Sequence, residues 1–204
     1  MDEIQFYGQQ DGERVLYVAV PHPVVRWLGL AQVGFAGLLI SFLFFVISNA
    51  IEIYTWPIRM VGMLLGLMII GIGGLAVLLA GKRSKTYVTD RRVVRFTAAT
   101  LWGTASRTLA WDEVVKVKTY SPNFWFRLFN IGSVVVHART TILPGVAEAD
   151  TYQNVTNDDI LMDGIEYFRD LGNYMDKVLY LYKKEPEQLK TIRSFVAKPR
   201  GKRY

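Results

Sequence analysis

The chain contains no cysteine, and its 204 residues include only two histidines, His22 and His137. The absence of cysteine excludes disulfides, zinc sites built on thiolates, and lipid anchors attached through sulfur. The two histidines lie apart, one before the first apolar run and one in a predicted strand, so neither a histidine metal centre nor a catalytic triad has its parts. No glycine-rich phosphate loop follows a predicted strand. The sequence therefore predicts a protein without a metal, a cofactor or a catalytic centre.

Two long apolar runs, residues 28–48 and 58–80, dominate the first half of the chain, and Arg59 is the only charged residue in them. Each has the roughly 20 residues that a helix needs to cross about 30 Å of hydrocarbon. Backbone groups find no hydrogen-bond partner in hydrocarbon, so both runs are predicted to be helices. The short link between them predicts an antiparallel hairpin over residues 27–81, with both chain ends on one side of the membrane.

Small residues recur along both runs. Gly62 and Gly66 form a small-xxx-small pair in the second run, and Gly37 with Ser41 gives the first run a matching surface. Such surfaces let two helix backbones approach closely in a membrane. We expect them to pack the two spans against each other, and a dimer contact is the alternative.

Basic residues are concentrated after the second run, whereas the link between the runs is flanked only by Arg59. The positive-inside rule therefore places both termini in the cytoplasm and the protein in the cytoplasmic (inner) membrane, with two spans. A cleaved signal peptide is the alternative for the first run. The segment before that run is acidic and long, however, and the run exceeds a typical signal-peptide core.

Charge is distributed in blocks along the rest of the chain. Residues 82–142 hold 11 Lys or Arg against 3 Asp or Glu, residues 143–182 hold 2 against 8, and residues 183–204 hold 8 against 2. A basic block that starts at the membrane exit attracts anionic lipid headgroups. Nucleic acid is the other usual partner of such charge, but the membrane tether and the lack of a nucleic-acid motif argue against it.

The chain is predicted to consist of a lead-in (1–26), the hairpin (27–81), a cytoplasmic domain (82–183) and a basic tail (184–204) that is disordered or bound to a surface. Short segments rich in strand-favouring residues occur at residues 14–20, 86–98, 106–111, 114–119 and 132–139. Several short strands joined by tight turns predict an antiparallel sheet or partial barrel, so the domain belongs to the α+β class.

The apolar period changes after residue 156, where Thr156 and Asp159 fit a capping box. A helical stripe follows at Leu161, Ile165, Phe168, Gly172, Met175, Leu179 and Tyr182. A second stripe includes Ile160, Tyr167, Leu171, Tyr174 and Val178. Because the combined apolar arc is wide, we expect one stripe to close the core and the second to contact a protein partner, another copy of the chain or the membrane. A short coiled coil is the rival interpretation.

Three segments of the domain resemble the bacterial PH-like domain of YdbS-type membrane proteins: residues 87–94, residues 109–117, and residues 124–136, where Phe-Trp-Phe-Arg-Leu-Phe-Asn leads into Ile-Gly-Ser-Val-Val-Val. The lead-in from Gly12 and the His22-Pro23 pair are also similar, so the resemblance covers roughly residues 12–146. It implies a bent antiparallel sheet or partial barrel capped by a C-terminal helix, acting as a non-enzymatic interaction module. The chain departs from the family in its first hairpin, where Gly103 comes later than the expected glycine.

Basic and aromatic residues of the domain are the candidates for lipid contact, because cations attract lipid phosphate and aromatic rings settle at the interface. They are Lys82, Arg83, Lys85, Arg91, Arg92, Arg95, Trp125 and Arg127. The alternative is that these cations only set topology and the aromatic residues belong to the core.

The sequence therefore predicts a non-enzymatic, membrane-anchored adaptor that binds a protein partner, anionic lipid headgroups or both. A structural subunit of a larger membrane assembly is one alternative. Another is a membrane enzyme that uses the carboxylates of residues 158–170, since the Asp158, Asp159 and Asp163 spacing could hold Mg²⁺ and a diphosphate. The same carboxylates also fit the solvated face of an amphipathic helix, which is the simpler interpretation.

Overall fold

The computed structural model describes residues 5–51, 55–99, 103–122, 124–139 and 158–197. These residues divide into two compact units. One is a helical hairpin, and the other is a sheet domain built from residues before and after the hairpin. Each unit is described separately below.

The hairpin consists of α1 (Pro23–Ala50) and α2 (Thr55–Arg83). Both helices are long and apolar enough to cross a membrane. Most of their large apolar side chains, such as Phe35 and Leu64, are exposed. A helix from the core of a soluble domain would bury these side chains, so the apolar surface of the hairpin is the kind that lipid covers.

Close packing of α1 on α2 depends on the small residues. A Cβ atom added to Gly66 would lie 2.6 Å from the carbonyl oxygen of Gly37, and one added to Gly37 would lie 2.8 Å from the carbonyl oxygen of Gly66. The hydroxyl of Ser41 lies 3.2 Å from the carbonyl oxygen of Gly62 and donates to it. The predicted packing of the two spans through these residues is confirmed.

Two antiparallel sheets form the core of the sheet domain. The first has the order β1-β2-β3-β4 and the second the order β5-β6-β7. The strands are β1 (Val15–Ala19), β2 (Lys85–Thr89), β3 (Arg92–Ala98), β4 (Thr104–Ala110), β5 (Val114–Tyr120), β6 (Ile131–Ala138) and β7 (Ile160–Glu166). β1 precedes the helical hairpin in the sequence and β2 follows it, and the two strands pair. The lead-in is therefore part of the sheet rather than a separate segment.

Three helices complete the domain: α3 (Phe124–Leu128), α4 (Phe168–Lys184) and α5 (Pro186–Leu189). α4 lies against β5 and β6. Gly132 and Gly172 permit this contact, because a Cβ on Gly132 would lie 2.6 Å from the Phe168 ring and one on Gly172 would collide with Thr119. Two antiparallel sheets and a C-terminal helix agree with the predicted class.

The prediction of one continuous helix from residue 156 is wrong for residues 160–166, which form β7. Ile160 pairs with Val136 and Met162 with Val134, and both are buried. β6 is buried along its whole length, so it needs a hydrogen-bonding neighbour on each side. Gly164 and Tyr167 have positive φ, and the left-handed Tyr167 ends the strand and caps α4. The residues of the predicted capping box before Asp158 lie outside the described residues.

Candidate lipid- and partner-contact surfaces

Cations cluster at the ends of the hairpin that join the sheet domain. Lys82 and Lys85 are exposed, and Arg83 is half-buried. The sequence analysis missed Arg26 near the start of α1, whose stem covers Gly81. Its Nε atom is the one buried side-chain polar atom without a hydrogen-bond partner in the described part of the chain. A buried donor left without a hydrogen-bond partner costs stability.

Arg92 is bound inside the protein. Its Nε donates to Glu13 Oε1 at 2.9 Å, and its Nη2 donates to Glu13 Oε2 at 2.9 Å and to the carbonyl of Gly8 at 2.6 Å. Burial raises the pKa of Glu13, but hydrogen bonds from Arg92, the Gln10 amide and Thr89 outweigh burial and hold it below its usual value. The prediction that Arg92 contacts lipid is therefore not supported, because its charge is already paired.

The neighbours of Arg92 differ from it. Arg91 is exposed, and its Nη1 donates to Gln10 Oε1 at 3.2 Å. Arg95 is half-buried, and its side chain makes no hydrogen bond or ion pair within the described residues. Burial lowers the pKa of Arg95, Asp163 raises it, and the nearby Arg107 lowers it. Arg95 therefore differs from Arg92 in having no hydrogen-bonded counter-ion among the described residues.

The short helix α3 carries an apolar cluster that faces solvent, formed by Phe124, Leu128 and Phe129. These side chains are 73%, 64% and 54% exposed. Phe126 is only 8% exposed and anchors the helix, and Arg127 is exposed beside the cluster. The side chain of Trp125 lies outside the described residues. Three large apolar side chains exposed within six residues are typical of a contact surface.

The α3 apolar cluster stands on an ordered support. Asn130 adopts a positive φ of 55°, its amide donates to the carbonyl of Arg127 at 3.2 Å, and its own carbonyl accepts from the Tyr167 amide at 3.1 Å. These bonds fix α3 between β5 and β6. The sequence singled out Trp125 and Arg127 here, but not Leu128 and Phe129.

The residues predicted to dock a partner are mostly in the core. Ile160, Leu171 and Val178 have no exposed surface, so they are not available for docking in this structure. Tyr167 and Tyr174 are half-buried. The Tyr174 hydroxyl donates to the carbonyl of Arg193 at 2.8 Å, and burial raises the pKa of Tyr174 to about 12. The wide apolar arc exists because α4 packs on β5 and β6 and is also covered by the C-terminal segment.

The C-terminal segment, residues 190–197, packs on the sheet domain, whereas the sequence predicted a tail that is disordered or bound to a surface. The Phe195 amide donates to the carbonyl of Leu16 at 3.0 Å, at the outer edge of β1. Its ring contacts Tyr17 and Tyr174 with centroid distances of 5.0 Å and 5.3 Å. Arg14 Nη2 donates to the carbonyl of Leu189 at 2.8 Å. The rest of the tail, residues 198–204, lies outside the described residues.

The carboxylates of residues 158–170 have separate partners. Asp159 accepts from the Ala138 amide at 3.0 Å and lies 3.0 Å from His137 Nδ1. Asp163 accepts from the Ser133 hydroxyl at 2.5 Å. Four residues along a strand span about 13 Å, whereas the same spacing on a helix would bring the two carboxylates close together. The described residues hold no group of three side chains that could ligate a metal ion.

His137 in β6 is buried beside Asp159. Burial lowers the pKa of His137, Asp159 raises it, and the positive charges of Lys118 and Lys116 lower it further. The lowering prevails, so the fold favours the neutral imidazole. The sequence analysis missed this pair because it placed Asp159 at the start of a helix.

No family model, curated protein sequence or solved structure matches this chain. The resemblance to PH-like membrane proteins therefore stays a prediction.

Proposed function

We propose that the chain is a membrane-anchored, non-enzymatic adaptor whose sheet domain is PH-like. In this proposal the domain binds anionic lipid headgroups, a protein partner or both at the cytoplasmic face of the inner membrane. The α3 apolar cluster is the observation that carries the proposal, because it exposes three large apolar side chains in a chain that also has two helices fit to cross a membrane. Only Ser84 separates the end of α2 from β2, so the domain is tethered directly to the hairpin.

The energetics favour lipid as the cover of the α3 apolar cluster. Burying a side chain such as Phe124 or Leu128 completely is worth about 1.5–3 kcal/mol. A cation held near an anionic bilayer adds on the order of 1 kcal/mol, and Arg127 lies beside the cluster. Such a contact is too weak to anchor a free domain, but the hairpin removes the need for independent anchoring.

A single-cysteine experiment tests the α3 contact, since the natural chain has no cysteine to remove. An environment-sensitive fluorophore is attached at Leu128→Cys or, as the matched control, at the exposed turn residue Asp112→Cys. The full chain is placed in nanodiscs of phosphatidylcholine with or without phosphatidylglycerol. We expect a blue-shifted emission and quenching by lipid-borne quenchers at position 128 but not at 112, and a stronger shift in anionic discs.

The structural-subunit alternative predicts a different result from the same probe, because a neighbouring protein would then cover the α3 apolar cluster. The fluorophore at position 128 would be shielded in native membranes yet exposed to water in nanodiscs of the purified chain. An aqueous spectrum at position 128 in both settings would contradict contact with lipid and with protein alike.

Topology is tested separately. Ile51→Cys and Ser194→Cys are both exposed positions, one at the end of α1 and one in the C-terminal segment. If both termini are cytoplasmic, a membrane-impermeant thiol reagent added to intact cells labels position 51 and spares position 194. Labelling of both positions from the outside would contradict the proposed topology.

A further inference from the structure

Two arginines of neighbouring strands stand opposite each other in the first sheet. β3 and β4 are neighbours, and the Ala99 amide donates to the carbonyl of Gly103 at 3.0 Å at the closed end of their hairpin. The antiparallel register that continues from this bond pairs Arg95 with Arg107. Side chains directly opposite in such a pair have Cβ atoms about 4.5–5.5 Å apart, and like charges there destabilise the sheet.

The charges of this arginine pair are poorly balanced within the protein. Arg95 is half-buried, and its side chain makes no hydrogen bond or ion pair in the described part of the chain. Arg107 Nη1 donates to the carbonyl of Asp159 at 3.3 Å, which is not a charged acceptor. Asp163 is the nearby carboxylate, and it already accepts hydrogen bonds from Ser133 and from the Gly164 amide. The carboxylate that lies near Arg95 is therefore already engaged by other donors.

More positive charge lies beside His137 on the second sheet. Lys116 pairs with His137 and Lys118 with Val135 across β5 and β6. His137 is linked to Arg107 through Asp159, whose carboxylate lies 3.0 Å from the imidazole and whose carbonyl accepts from the guanidinium. Guanidinium groups present rigid forks of donors that match the oxygens of a phosphate, and several cations favour a doubly charged anion over a singly charged one.

We propose that Arg95 and Arg107 form a binding site for a phosphomonoester, carried either on a lipid headgroup or on a soluble molecule. The anion relieves the repulsion between the two guanidinium groups and accepts hydrogen bonds from both. This site does not depend on the α3 apolar cluster, since a soluble phosphate would bind whether or not α3 touches lipid. The two proposals can therefore fail separately.

The test is a titration of the full chain in phosphatidylcholine nanodiscs, followed by NMR of the His137 imidazole. The chain has only two histidines, so His22→Gln assigns the signal. Inorganic phosphate is the probe in one arm, with chloride at matched ionic strength as reference. In the other arm the discs contain phosphatidic acid, with phosphatidylglycerol discs as the phosphodiester reference. Saturation by inorganic phosphate identifies a soluble ligand, and a response limited to phosphatidic acid identifies a headgroup.

Variants separate binding from general electrostatics. Arg95→Gln and Arg107→Gln are each expected to weaken the apparent affinity about 10- to 100-fold, because each loses charge-assisted hydrogen bonds. Arg95→Lys keeps the charge without the fork and is expected to show an intermediate loss. Arg127→Gln, an exposed cation in α3, serves as the matched control and should bind as the natural chain does. No saturable response in either arm, an equal response to chloride, or a response that persists in both glutamine variants would overturn the proposal.

Discussion

Arg92 and Arg95 lie three residues apart on β3, yet the protein uses their charges in opposite ways. Arg92 points to the face that the lead-in covers, where Glu13 accepts hydrogen bonds from both its Nε and its Nη2. Arg95 points to the other face, where the strand register places Arg107 opposite it and where it lacks a hydrogen-bond partner among the described residues. The difference shows that basic residues close together in the sequence lie on different surfaces of the folded domain.

The partner of Arg92 comes from far along the chain. Glu13 precedes it by 79 residues, with the whole hairpin between them, and its carboxylate is completely buried. Thr89 donates to the same carboxylate at 2.8 Å, so the acid is satisfied on several sides. The Arg92 side chain is therefore tied into the fold on one face of β3, whereas the opposite face carries both the buried core residue Val93 and the half-buried Arg95.

The largest effect is expected from Glu13→Gln, which leaves the Arg92 guanidinium with its charge unpaired in a mostly buried site. Breaking a buried ion pair from one side costs about 3 kcal/mol or more. Native-state hydrogen exchange of buried sheet amides such as Val93 measures this loss of unfolding free energy without unfolding the hairpin. Glu187→Gln is the control, because the Glu187–Lys190 pair is fully exposed and its loss should leave the exchange of the sheet unchanged within error.

A smaller effect is expected when both members of the pair are removed together. Glu13→Gln combined with Arg92→Gln leaves two neutral side chains that can still exchange a hydrogen bond, so the double variant should be about 1–2 kcal/mol more stable than the sum of the single variants predicts. A double-mutant cycle on the same exchange measurement gives this coupling. Simple additivity would mean that Arg92 and Glu13 act independently, and the contrast between the faces of β3 would fail.

Acid is expected to lower the unfolding free energy of the sheet domain in two separate pH windows, one set by His137 and one by Glu13. The pKa of His137 is lowered in the folded protein, so its contribution is complete above the unfolded value of 6.5 and is lost as the pH falls below it. The pKa of Glu13 is lowered from 4.5, so its contribution is lost only at more acidic pH. Exchange measured from pH 7.5 to 4 should show the first loss, and His137→Gln should remove it. A stability that stays constant down to pH 5 would contradict the neutral buried imidazole.

The sequence was sufficient for the elements whose signal is local. Two runs of spanning length, with Arg59 as their only charge, predicted α1 and α2. Segments rich in strand-favouring residues predicted β1, β4, β5 and β6, and the single segment 86–98 covers both β2 and β3. The free cation Arg95 was among the predicted lipid contacts, but nothing local distinguished it from Arg92. Their difference depends on Glu13, a residue that reaches β3 only after the chain has folded, and no local pattern encodes that contact.

β7 was mistaken for helix because its apolar residues fit two periods at once. Leu161 and Ile165 match one helical stripe and Ile160 matches the second, and both stripes continue into α4. Buried Ile160 and Met162 alternate with less buried neighbours, as in a strand. This segment forms a strand rather than a helix because it pairs with β6. This error moved Asp159 to a solvated helix face and hid its bond to His137.

The smallest effect is expected from Arg95→Gln, and its sign distinguishes the two faces of β3 most directly. Removing one of two opposed like charges should raise the unfolding free energy by about 0.2–1 kcal/mol, since the cross-strand repulsion disappears and no described hydrogen bond is lost. Arg92→Gln, measured by the same exchange of the Val93 amide, should lower it. A loss of 1 kcal/mol or more in Arg95→Gln would show that Arg95 supports the fold as Arg92 does. In that case phosphate added to the natural chain should not slow the exchange. If phosphate instead relieves the repulsion between Arg95 and Arg107, it should slow the exchange of the Val93 amide.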